Sequence, residues 1–94
     1  MAIGVQFDFK GATLDQYDQV LQKMGLRAGG PGGPGCLFHW VTKTADGARV
    51  VDVWASRAQF DKFSEEKIVP IAMAIFASPP EIQFFEVHNY LTAG

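Results

Sequence analysis

The chain has 94 residues, eight Lys and Arg against ten Asp and Glu, a net charge of −2 and a pI near 5.5. That length predicts one domain spanning residues 1–94, and the absence of any basic stripe excludes nucleic acid as the expected partner. Cys36 is the only cysteine, which excludes an intramolecular disulfide and fits a reducing cytoplasm. Met1–Gln6 lacks the charged and apolar regions of a secretion signal, and the apolar run Ile68 to Ala77 is broken by Pro70 and too short to span a bilayer.

Along the chain, Ile3, Val5, Phe7 and Phe9 alternate with Gly4, Gln6, Asp8 and Lys10, a period of two that predicts a strand. Thr13 and Gln16 have the spacing of a capping box. Leu14, Tyr17, Val20, Leu21 and Met24 follow at helical spacing, and Gly25 suits the helix end. Tyr17 reads as a core residue.

Arg27 to Gly35 holds five Gly and two Pro. It lacks the Gly-Lys-Ser/Thr ending of a phosphate-binding loop. It reads as a flexible connector, and its functional variant is a pocket lid.

Cys36 to Thr44 reads as the second strand and Arg49 to Trp54 as the third, joined by a hairpin turn at Asp46-Gly47. Ser56 and Gln59 form a second capping box, and Phe60 and Phe63 give the following helix its apolar face. Pro70 suits the first turn of a new helical segment, so Arg57–Lys67 and Ile71–Ala77 are one broken helix or two in sequence. Ser78-Pro79-Pro80 ends it, and Ile82 to Leu91 reads as a long fourth strand. The order β-α-β-β-α-β predicts an α+β, ferredoxin-like domain, a four-stranded antiparallel sheet with its helices on one face.

The hairpin sets the candidate site. A turn at Asp46-Gly47 pairs Ala45 with Ala48, Lys43 with Val50, Val41 with Asp52 and His39 with Trp54. Opposed residues share a face, so His39, Val41, Asp52 and Trp54 lie on one side and Phe38, Trp40, Val51 and Val53 on the other. A carboxylate in the middle of an apolar strand is costly without a partner, so Asp52 implies either a partner or a wet pocket. His39 lies diagonally from it. The pair is either a base tuned by a carboxylate or a satisfied structural contact. His88, beside Glu86 and Tyr90, is a further candidate for the pocket, its face open. Two histidines without close carboxylate spacing give no metal site, and no cofactor is expected. The far face of the sheet lacks helices. A chain that is 48% hydrophobic with eight Phe predicts that a second copy covers it.

The element order, the strand ending Val51-Asp52-Val53-Trp54-Ala55-Ser56 and the Phe60/Phe63 helix resemble the dimeric α+β barrel superfamily, within it the antibiotic-biosynthesis-monooxygenase-like domains. The resemblance covers nearly the whole chain. It implies a homodimer joined through sheet faces, with a small molecule held between sheet and helices. Some members are cofactor-free monooxygenases of polyketide quinol-type substrates, others degrade haem, bind stress-related ligands or isomerise lactones. Trp54 matches the pocket Trp of the haem-degrading branch. That branch also uses an Asn on the first strand and a His on the second helix. Here the strand offers Gly4, Gln6 and Asp8, and Ser56–Ala77 contains no His, which argues against haem degradation. The resemblance thus implies a small-molecule binder, as a cofactor-independent monooxygenase with His39 as base, Asp52 tuning it and Trp54 stacking on the substrate, or as a non-catalytic stress-response or ligand-binding module.

Overall fold

The computed structural model describes residues 1–93. β1 (Ile3–Lys10), α1 (Leu14–Met24), β2 (Cys36–Thr44) and β3 (Gly47–Trp54) are followed by α2 (Arg57–Phe63), a π-helical segment (Ser64–Ala72), α3 (Met73–Ile75) and β4 (Glu81–Glu86). The four strands form one antiparallel sheet in the order β2-β3-β1-β4. This is the expected α+β, ferredoxin-like arrangement. Alternation carries the core: Val5, Phe7 and Phe9 from β1 and Val50 and Trp54 from β3 are buried against Tyr17 and Val20 of α1, with Phe60, Ala72 and Phe76 from the second half. Both ends of α1 follow the sequence. Thr13 and Gln16 form a complete capping box, and Gly25 closes the helix in the left-handed region.

The hairpin turn differs from expectation. Ala45 and Asp46 make the turn, and Thr44 stands opposite Gly47. From Ala48 to Val53 each β3 residue therefore meets a β2 residue two positions earlier than predicted: Asp52 faces His39, and Val50 faces Val41. A shift of two keeps the faces, so His39, Val41 and Asp52 still share the helix side. The Asp-Gly signal misled because Gly47 is not the turn glycine. A Cβ there would lie 1.9 Å from the Phe9 carbonyl oxygen, so glycine lets β1 approach closely. A bulge between Cys36 and Phe38 leaves Cys36 opposite Trp54.

Pro70 does not start a new helix. It lies inside the π-helical segment, and the helix runs on from Arg57 to Ile75. In an α-helix its ring would strike the carbonyl four residues back, and the wider π turn relieves that contact. Ser56 caps α2 through Gln59 N but lacks the reciprocal half of a capping box, since its hydroxyl instead donates to Gln59 Oε1 at 3.0 Å. β4 stops at Glu86 rather than Leu91. Its antiparallel register against β1 pairs Glu86 with Ile3, and after one more bond, Val87 N–H to Ala2 O, the partner strand runs out.

Candidate functional site

Four side chains from two strands and one helix form a single hydrogen-bonded chain on the helix side of the sheet. Asp52 is 4% exposed and is met by two donors. Trp54 Nε1–H donates to Oδ2 at 3.1 Å, and His39 Nδ1 lies 2.5 Å from Oδ1. An ionised carboxylate only accepts, so the Nδ1 proton stays on His39 and Nε2 of the neutral ring is the basic nitrogen. Nε2 faces the Tyr17 hydroxyl of α1 at 2.5 Å, and the two rings lie nearly parallel. With the imidazole neutral, Tyr17 O–H donates to His39 Nε2 and His39 Nδ1–H donates to Asp52, while Trp54 donates to Asp52 from the other side. Among the described residues no buried side-chain polar atom lacks a partner, which is how a carboxylate survives inside an apolar strand.

Each member has a local reason for its place. The direct opposition of His39 and Asp52 follows from the hairpin register. Asp52 and Trp54 are two apart on β3, hence on one face. Trp54 is 1% exposed, with Phe60 packed edge-on at 5.5 Å and Phe63 at 5.3 Å. Its indole is thus a wall that holds Asp52, with little free face for stacking on a ligand. Burial pushes the Tyr17 phenol up to about 12, and the Asp52 charge adds to the effect. Cys36 is raised to about 11 for the same two reasons, burial first.

The chain borders a cavity of about 910 Å³ between the sheet and the helices, lined by apolar side chains that include Val20, Val41, Phe63 and Ile68. His39, its side chain 30% exposed, is the network's most open member. The glycine-rich stretch also lines the cavity from Arg27 through Gly33. Its glycines allow close seating: a Cβ at Gly33 would lie 2.3 Å from the Phe63 ring, and one at Gly32 would lie 3.1 Å from the Cys36 sulfur. The connector is therefore also a wall of the cavity.

Of the candidate residues read from the sequence, the structure brings His39, Asp52 and Trp54 together. His88 lies beyond the end of β4, exposed, and does not line the cavity. Among the described residues no three His, Cys, Asp or Glu side chains converge as a metal site would require. Tyr17 escaped the sequence reading. It sits in an ordinary apolar helix stripe, and only the crossing of α1 over β2 reveals what its hydroxyl meets. The available signal was that a buried Tyr hydroxyl needs a partner.

No family model matches the chain, and no curated protein matches its sequence. Solved structures do. A protein from Chloroflexus aurantiacus named for the antibiotic biosynthesis monooxygenases is 20% identical, with 96% of this chain and 97% of that one aligned at a TM-score of 0.63. SnoaB, a cofactor-independent oxygenase from Streptomyces nogalater, is 16% identical over 98% and 96% of the chains, TM-score 0.60. The ActVA-Orf6 monooxygenase of Streptomyces coelicolor, solved with nanaomycin D, is 18% identical over 99% and 92%, TM-score 0.54. The chain thus has the fold of the antibiotic-biosynthesis-monooxygenase-like proteins. Among the described residues no helix is long and apolar enough to cross a membrane.

Proposed function

We propose that the chain binds a small, largely apolar phenol or enol in this cavity and oxygenates it with O2, without a cofactor. The observation that carries the reading is the Tyr17–His39–Asp52 relay at the border of an apolar cavity. The oxygenases among the fold's relatives add support. Because Nε2 already holds the Tyr17 hydroxyl, a substrate hydroxyl meets Tyr17 first. Its proton passes to the Tyr17 oxygen as the Tyr17 proton passes to Nε2, and Asp52 stabilises the resulting imidazolium. The substrate anion is electron-rich at a ring carbon bearing hydrogen. That carbon gives an electron to O2, the radicals combine into a C–O bond, and proton return yields a hydroperoxide. Loss of water leaves a carbonyl. Phenol and O2 become quinone and water, and every electron comes from the substrate, so no external reductant enters. The apolar walls keep bulk water from the anion.

The experiment is turnover of a panel of naphthols and anthrones under labelled dioxygen. One labelled oxygen in the product carbonyl, lost in His39→Ala, supports the reading. Tight binding of these phenols with no oxygen uptake by the wild type overturns it.

The second reading is a non-catalytic ligand-binding module. It is favoured by the way the four side chains satisfy one another's hydrogen bonds. Under either reading we place the protein in the cytoplasm as a homodimer. A second copy would cover the outer sheet face, where Phe38, Trp40 and Phe85 stand exposed.

A further inference from the structure

Among the described residues Arg27 is the only Lys or Arg side chain that lines the cavity. Two other arginines are committed elsewhere, Arg49 to Asp8 and Arg57 to Asp61, whereas Arg27 makes no ion pair among the described residues. Its position is built by the turn that follows it. Gly30 N–H donates to the Arg27 carbonyl at 3.0 Å, and a Cβ at Gly30 would lie 3.1 Å from Arg27 Cγ. The glycine thus leaves room for the arginine stem to lie across its own turn, against the cavity loop.

The cavity's own carboxylates do not neutralise it. Asp52 is occupied by His39 and Trp54, and Asp18 lines the cavity from α1 without pairing with Arg27. A guanidinium with five donors and no anion, at the edge of an apolar space, suits a carboxylate or another planar oxyanion.

We propose that Arg27 is a specificity-determining residue, and that the cavity selects aromatic ligands bearing an acidic group. The ligand places its hydroxyl at Tyr17 and its carboxylate on the loop side, clear of Asp18. This rests on the cavity being the ligand site, and it names the substrate class that site prefers. Arg27 is exposed at the rim, so the gain is modest: an exposed ion pair is worth about 1 kcal/mol at most, which is about fivefold in affinity. It also shrinks as salt rises.

The test uses 6-hydroxy-2-naphthoic acid and its primary amide, which share size and phenol but differ in charge. Binding to the full chain is followed by two-dimensional NMR, with Tyr17 and loop signals reporting location. The wild type is expected to bind the acid about fivefold tighter than the amide at low salt, with both perturbing Tyr17. Arg27→Gln should weaken the acid more than the amide and so erase that preference, Arg27→Lys should keep part of it, and Asp18→Asn should enlarge it. Equal binding of acid and amide by the wild type, or an equal loss of both in Arg27→Gln, overturns the assignment while leaving the cavity as the ligand site. Binding of neither compound overturns the cavity reading, and this proposal with it.

Discussion

Asp52 holds the site together because two donors depend on it, the buried Trp54 indole and the half-buried His39 ring. In Asp52→Ala, His39 Nδ1–H and Trp54 Nε1–H both lose their acceptor inside the protein. Leaving such groups unmet costs about 1–3 kcal/mol each, so the variant should lose about 3 kcal/mol in urea unfolding. A loss under 1 kcal/mol would mean that the network contributes little to folding. Tyr17 makes a pH-dependent contribution whose sign follows from its environment. Its phenol is held near 12 in the fold against 10.0 when free, and the Cys36 thiol near 11 against 9.0. The folded state therefore keeps both protons to higher pH than the unfolded chain does. Their stabilising effect is complete below the free values and is lost as pH rises through the folded ones. Thermal midpoints should fall between pH 9 and 12, and Tyr17→Phe with Cys36→Ala should flatten that fall. Parallel slopes in wild type and variant would remove the argument.

At the scale of elements, β3 shows how a strand can be legible while its partner register is not. The burial of Ala48, Val50, Asp52 and Trp54 repeats every second residue, so the strand and its faces follow from the pattern. The turn did not, because Asp-Gly fits two roles. Gly47 serves close packing under the Phe9 carbonyl, with an ordinary φ, whereas Gly11 has a φ of +76° and open space around it. The two roles predict different costs. Gly11→Ala meets only backbone strain and should cost about 1 kcal/mol. Gly47→Ala drives a methyl into backbone and should cost about 3 kcal/mol or more. Chemical denaturation of the pair in parallel checks this, and a larger cost at Gly11 would contradict it. His39 and Asp52 could be read as neighbours from the sequence because a hairpin is a local structure. Tyr17 and Arg27 could not, because their places depend on how α1 and the glycine loop cross the sheet, and no spacing in the chain encodes that crossing.

For the whole molecule, one sheet has to manage two different faces. Its inner face closes the cavity. Its outer face runs from β2 to β4 through Phe38, Val53, Gly4 and Phe85, a row set by the strand register. Phe38 is 65% exposed, Trp40 45% and Phe85 49%. Three such rings on one face make it a candidate for cover by a second copy, which a two-fold pairing of sheets would supply. Because β2 alternates, His39 points to the cavity between Phe38 and Trp40, which stand exposed and also contribute to the cavity's lining. Cover on the outer face would therefore stiffen the strand that holds His39. Phe38→Glu with Trp40→Glu replaces two exposed rings, so the fold should stay within about 0.5 kcal/mol of wild type. Sedimentation should show a dimer for wild type and a monomer for the variant, and the variant should bind cavity ligands more weakly. A wild type that sediments as a monomer at micromolar concentration would refute the pairing. A monomeric variant that binds ligand as tightly as the dimer would separate dimerisation from the site.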